Sequence, residues 1–276
     1  MSGQDVANSQ PTIRAVVLDW AGTTVDHGSR APVIAITRAL AARGVVLSES
    51  QARGPMGMGK RDHIAALLQL PDIALQWRRL NGRDPDGRDA RELYESFQDL
   101  QIEAITSSAD VIAGVPEAIA ALRERGIAIG STTGYFRMAA VTAARIAAVQ
   151  GFAPDVLIAS DDVPAARPEP WMLFRALEAM RAYPVWSVVK VGDTPVDMAE
   201  GRNAGTWAVG VTETGNELAL TADELAALPA AERADRGAAA GERLVAAGAH
   251  LVIPSAAGLL EAVDRIDARL AAGERP

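Results

Sequence analysis

Short apolar runs that stop abruptly at a polar, reactive residue constrain this chain more than any other feature. Ile13-Arg-Ala-Val-Val-Leu18 ends at Asp19, Gly126–Ile129 leads to Ser131, Val156–Ala159 to Ser160, and Val185–Val191 to Gly192-Asp193. Two further runs cover Trp207–Val211 and His250–Ile253. Runs of this length without alternation read as strands buried on both faces of a parallel sheet. Helical patterns lie between them, at Val115–Arg125, Phe136–Ala148, Trp171–Arg181 and Pro195–Ala204. The alternation predicts an α/β fold with a doubly wound parallel sheet, whose site lies past the C-terminal strand ends.

One region breaks the pattern. From Gly28 to about Ser107 only helical segments appear: Ala31–Arg43, Ser48–Gly54, Lys60–Leu70 and Asp89–Ile105, with a polar turn at residues 81–88. An insertion after the first strand is expected to form a helical cap, giving a core of residues 1–27 and 106–276 and a cap of 28–105. The acidic, alanine-rich stretch Leu218–Ala247 reads as a solvated helical pair, with Gly237 and Gly241 near its turn.

Composition narrows the function. The net charge is −8, from 35 acidic and 27 basic residues, without a basic stripe, so nucleic acid is not an expected partner. There is no cysteine, which excludes disulfides, thiolate metal sites and a cysteine nucleophile. Met1–Thr12 is polar and reads as a frayed start rather than a signal peptide, and no apolar run is long enough to span a membrane; a cytoplasmic setting is expected. Lysine is confined to Lys60 and Lys190; arginine cannot replace either in amine chemistry.

The reactive residues form an ordered set. Asp19-Trp-Ala-Gly-Thr-Thr-Val-Asp26 places a carboxylate at a strand end before a tight turn, where it can face a phosphorus atom or merely cap the turn. Ser131-Thr-Thr-Gly-Tyr135 adds hydroxyls and backbone donors, Arg167 a cation, and Gly192-Asp193-Thr-Pro-Val-Asp197 two carboxylates where a helix begins. Such oxygen ligands suit Mg²⁺.

Nucleophilic Asp, Ser/Thr, basic residue and Asp pair, in that order, resemble the four-part signature of the haloacid dehalogenase superfamily. The resemblance implies that Asp19 attacks phosphorus to form an aspartyl-phosphate. It also implies Mg²⁺ held by Asp19, the Ala21 carbonyl and Asp193, supported by Asp197, with Thr133, Gly134 and Arg167 binding the phosphoryl group.

Two departures sharpen this. Many phosphatases of the superfamily carry an acid two residues after the nucleophile, worth roughly 10²–10⁴-fold when it protonates a leaving group; here that position is Ala21. Lys60, in Arg53-Gly-Pro-Met-Gly-Met-Gly-Lys-Arg-Asp-His63, begins a cap helix after glycines that let the chain approach a ligand. A desolvated lysine can condense with an aldehyde, and the imine then accepts the electrons of a breaking carbon–phosphorus bond. Together with Gly-Ser-Thr-Thr-Gly-Tyr135 and Arg167-Pro-Glu-Pro-Trp-Met172, these motifs are similar to those of the phosphonoacetaldehyde hydrolase (phosphonatase) family over most of the chain. That resemblance implies a Lys60 Schiff base, a site lined by Met56, His63 and Tyr135, and hydrolysis of phosphonoacetaldehyde, a small phosphonate, to acetaldehyde and phosphate during 2-aminoethylphosphonate degradation. It further implies a homodimer. Ser29, often Cys in that family, and Glu169, often aromatic, depart from the pattern.

Plainer roles are open to several residues. Lys60 can be a surface lysine, His63 a packing residue within the cap, Met56 and Met58 gap-fillers, and Tyr135 a packing aromatic. Lys190 can orient carboxylates. His27 and His250 read as structural, and Trp171, Trp186 and Trp207 as core. A Mg²⁺-dependent phosphomonoesterase or phosphomutase is the alternative enzyme, which Ala21 disfavours; a non-catalytic phosphate-binding protein and a dehalogenase fit the intact signature less well.

Overall fold

In the computed structural model, which describes residues 12–276, six parallel strands form one sheet in the order β3-β2-β1-β4-β5-β6. The frayed start expected for Met1–Thr12 lies outside the described residues except for Thr12. β1 (Ala15–Leu18) is central and fully buried. After it come α1 (Arg30–Ala41), α2 (Glu49–Arg53), α3 (Lys60–Leu68), α4 (Pro71–Asn81) and α5 (Gly87–Ser108), the segment we assign to the cap. α6 (Val115–Glu124), β2 (Ala128–Thr133), α7 (Arg137–Ala148), β3 (Val156–Ala159), α8 (Trp171–Met180), β4 (Val188–Gly192), α9 (Pro195–Ala204) and β5 (Trp207–Val211) restore the alternation. The chain ends with α10 (Ala222–Ala227), α11 (Ala230–Ala246), β6 (Leu251–Ile253) and α12 (Leu259–Ala271).

Leu18 pairs in register with Ser131 of β2 and with Val191 of β4, so the residues that follow these strands converge. The order reverses at β1/β4, where doubly wound sheets open a crevice at the carboxyl ends. In the cap, α5 packs on α1 and α3, and it also meets α7 of the core. The Tyr94 and Phe136 rings cross edge to face at 6.2 Å along that seam. α5 starts at a reciprocal cap, in which Asp86 accepts from the Asp89 amide while Asp89 accepts from the Asp86 amide.

Four expectations need correction. β2 continues through Ser131 and Thr133 instead of ending before them, because the hydroxyls find buried partners: Ser131 Oγ donates to Val156 O of β3 and Thr132 Oγ1 to Glu200 Oε2 of α9. Residues 185–187 form a 3₁₀ turn, and the strand begins only at Val188. Gly237 and Gly241 lie within α11; the turn falls at Leu228-Pro229, where proline cannot extend α10 but opens the next helix. Trp171 is 48% exposed on Phe174 at the start of α8, and Trp186 is only half-buried, whereas Trp207 is buried against His250. His27 and His250 are structural: His27 Nδ1 meets Leu220 O at 2.8 Å, and His250 Nδ1 accepts the Ala208 amide at 2.9 Å. Among the described residues no helix is long and apolar enough to cross a membrane.

Candidate active site

The ends of β1, β2 and β4 bring Asp19, Thr133 and Asp193 to one buried point. Asp19, Asp193 and Asp197 each offer an oxygen within 4.8 Å of the others. Gly22 allows this: a Cβ there would lie 2.3 Å from Asp193 Oδ2, and its φ of +81° favours glycine in any case. Asp193 is held by the Asn216 amide at 2.7 Å and by Thr23 Oγ1 at 3.3 Å. Asp197, on the first turn of α9, also caps that helix by accepting the Thr194 amide at 3.3 Å, and it accepts the Thr194 hydroxyl at 2.5 Å.

Two buried cations face these acids. Arg167 Nη1 lies 2.8 Å from Asp19 Oδ1 and 3.0 Å from Asp197 Oδ1. Its Nη2 donates to the Thr132 carbonyl and hydroxyl, and its Nε to Glu200 Oε2 at 2.8 Å. Lys190 Nζ contacts Asp197 Oδ1 at 2.9 Å, Glu200 Oε2 at 3.3 Å and Thr132 Oγ1 at 3.1 Å. Burial raises the carboxyl of Asp19 despite Arg167, and burial with the charges of Asp19 and Asp197 raises Asp193 strongly. Burial works the same way on Asp197, but Arg167 and Lys190 outweigh it and hold its carboxyl below the ordinary value.

The cap closes over this cluster through one loop. Gly57 has φ +86°, and a Cβ there would meet Thr194 Oγ1 at 2.3 Å; a Cβ on Gly134 would meet Met58 O at 2.5 Å. These glycines therefore seat the cap loop on the core, Gly57 against the Thr194 and Val196 side chains and Gly134 under the loop backbone. Lys60 follows at the N-terminus of α3, 5% exposed, with Nζ 5.8 Å from the Tyr135 ring centre. Burial lowers its amine to about 8 against the upward pull of Asp19. Lys60, Met56, Asp19, Ala21, Thr133, Gly134, Tyr135, Arg167 and Asp193 line one cavity of about 20 Å³, joined by Ser29, Pro32, Gly57 and Thr194.

His63 is not on that wall. It is buried behind Lys60 with Nε2 3.0 Å from Ala52 O, and burial together with the Lys60 charge lowers it to about 3, so its ring is neutral. Ala21 brings no side-chain acid, and Glu169 is exposed, away from the guanidinium.

Residues 13–205 match the family model of haloacid dehalogenase-like hydrolases. Over 255 residues, covering 92% of this chain and 97% of the relative, the sequence is 44% identical to a phosphonoacetaldehyde hydrolase of Bacillus cereus (strain G9842), with the same identity and coverage to that of Bacillus anthracis. This chain is a haloacid dehalogenase-like hydrolase of the phosphonoacetaldehyde hydrolase family. The crystal structure of a phosphonoacetaldehyde hydrolase-like protein from Oleispira antarctica is similar at TM-score 0.95 and 35% identity, with both chains covered in full. A hydrolase from Pseudomonas syringae, at 19% identity and TM-score 0.68, shares the fold over 92% of this chain.

Hydrolases of this family usually use a metal ion, and the donor set here fits one. Asp193 is fully buried and has no ion-pair partner among the described residues, while its neighbours are two more carboxylates. Hard oxygen donors around an uncompensated negative charge suit a small divalent cation. The structure also gives contacts to Glu200, which the sequence did not single out, and to Thr132 and Arg53, which it quoted only within longer motifs. Glu200 and Thr132 anchor both cations, and Arg53 ties α2 to the core by donating to Gly28 O and Asn216 Oδ1. Glu200 follows Asp197 by three residues, one helical face, which was the available signal.

Proposed function

We propose that this chain hydrolyses the carbon–phosphorus bond of phosphonoacetaldehyde, giving acetaldehyde and phosphate. Asp19 and Lys60, nucleophile and amine, share one small cavity in which Ala21 supplies no acid; this is the observation that carries the reading. The names of the 44%-identical relatives support it. The Lys60 amine adds to the aldehyde carbonyl and expels water, forming a protonated imine. An Asp19 oxygen attacks phosphorus, the P–C bond breaks, and its electron pair moves into the imine to leave an enamine on Lys60. Protonation at carbon and addition of water release acetaldehyde and the free amine, and a second water cleaves the aspartyl-phosphate. Because the leaving electrons are delocalised, no acid is needed at Ala21. Arg167 and Thr133 bind the phosphoryl oxygens, with the Gly134 segment beside them. Asp19, the Ala21 carbonyl and Asp193, supported by Asp197, would hold Mg²⁺, whose charge offsets the crowding of anions around phosphorus. Met56 and Tyr135 wall the aldehyde end, and His63, neutral behind Lys60, keeps that environment uncharged.

We assign residues 28–105 to the cap, with α5 continuing to Ser108 into the core. A cytoplasmic homodimer acting in 2-aminoethylphosphonate breakdown completes the proposal by resemblance, and light scattering tests the dimer. The decisive experiment is borohydride reduction in the presence of phosphonoacetaldehyde, followed by peptide mass mapping. An adduct on Lys60, absent in Lys60→Arg together with phosphate release, is expected. Phosphate release that survives in Lys60→Arg without any adduct would overturn the reading in favour of a phosphomonoesterase.

A further inference from the structure

Glu200 is fully buried on α9, one turn beyond Asp197, and lies outside the cavity lining. Its Oε2 receives Arg167 Nε at 2.8 Å and Thr132 Oγ1 at 3.1 Å, with Lys190 Nζ at 3.3 Å, whereas Oε1 is buried without a hydrogen-bond partner. An acid whose outer oxygen is left unsatisfied is costly to bury, so its retention calls for a function beyond packing.

The guanidinium shows what that function is. Arg167 presents one edge, Nη1, to Asp19 and Asp197 and to the cavity. Its other donors are turned away and taken up: Nε by Glu200, Nη2 by the Thr132 carbonyl and hydroxyl. A planar fork recognises phosphate only when its plane is fixed, and Glu200 fixes it from behind. The charge matters too, because Lys190 lies against the same oxygen of Asp197 that Arg167 contacts. Without an anion between them, the two cations would repel and compete for Asp197.

We infer that Glu200 is a positioning residue for phosphoryl recognition, acting through Arg167, which it holds by Nε so that Nη1 faces the phosphoryl group. This rests on the phosphoryl-binding role proposed above for Arg167.

The test reads binding of inorganic phosphate by calorimetry, alongside the melting temperature, and so does not depend on turnover. Glu200→Gln removes a negative charge near an anion site. If Glu200 acted only as a charge, phosphate would bind more tightly; if it positions Arg167, phosphate binds at least ~10-fold more weakly. Glu200→Asp keeps the charge but loses the reach to Nε, and the same weakening is expected. It also serves if the glutamine variant fails to fold. In an Arg167→Lys background, which has no Nε to hold, Glu200→Gln is expected to cost nothing further, because coupled residues are non-additive. Tighter or unchanged binding in the single variants, or equal losses in both backgrounds, would overturn the inference. Unchanged phosphate affinity in Arg167→Lys alone would instead remove the role of Arg167, and this inference with it.

Discussion

Lys60 and Lys190 carry the same ammonium group into one acidic neighbourhood and meet opposite surroundings. Lys190 is enclosed by Asp197, Glu200 and Thr132. Lys60 has only the Tyr135 ring and more distant charges, and burial lowers its amine to about 8. An amine reacts when neutral, so imine trapping on Lys60 is expected to slow as pH falls below about 8 and to level off above it, measured by borohydride trapping rates across pH 6–9. Lys190 serves structure instead. Lys190→Met leaves Asp197 and Glu200 buried with one fewer cation and is expected to cost about 3–5 kcal/mol, read from the urea midpoint. That Asp19, Asp193 and Lys60 share one cavity was legible as a candidate site, because they follow strand ends or glycine loops in motifs of fixed spacing. Glu200 was not, because a glutamate on a helix of mixed polarity looks solvated until the sheet partner beneath it is known.

Elements were legible where periodicity and burial agree. β3 and β5 match their expected bounds, because each is a short uninterrupted run without a charged residue, packed against a helix layer. α4 was missed. Its buried contacts amount to Ile73 and Trp77, four residues apart, while Leu75 and Leu80 are exposed, so the pattern is too sparse to read; Pro71 occupies its first turn. The cap loop that carries Met56–Lys60 was placed correctly near the site, but its glycines were assigned to ligand approach. They meet Thr194 and Gly134 of the core, so the loop is seated by close contact with the core. Gly57→Ala would force a left-handed residue against Thr194, and a displacement of this kind is expected to lower kcat/KM by about 10²-fold. The core sheet does not depend on that contact, so the thermal midpoint should be nearly unchanged; steady-state kinetics with differential scanning calorimetry checks both.

At the scale of the whole molecule, buried titrating groups set acid stability. His63 is lowered to about 3 and His250 to about 4, both chiefly by burial. Each is neutral in the fold yet binds a proton at its ordinary value of 6.5 once exposed, so unfolding takes up protons and stability falls as pH drops from 6.5 toward 4. Asp26, raised to about 6 by burial, works in the opposite direction between 6 and 3.8, as do the carboxyls of Asp19, Asp193 and Asp267, which burial also raises. The imidazole contribution is therefore read by difference: as pH falls from 6.5 toward 4, the melting temperature of His250→Gln is expected to fall less steeply than that of the parent protein. The fold class and cap insertion were readable because they follow from the order of strand and helix signals. The seating of cap on core was not, because it depends on pairs distant in sequence such as Gly57–Thr194 and Tyr94–Phe136.

The cavity offers about 20 Å³, roughly what one water molecule needs. On the proposed route imine formation releases one water, while cleavage of the two covalent adducts consumes two. Water in this enzyme is thus a counted reagent rather than a solvent. On that route the first molecule is generated in place and the second comes from outside the cavity, so water entry after the carbon–phosphorus bond has broken becomes a step of its own.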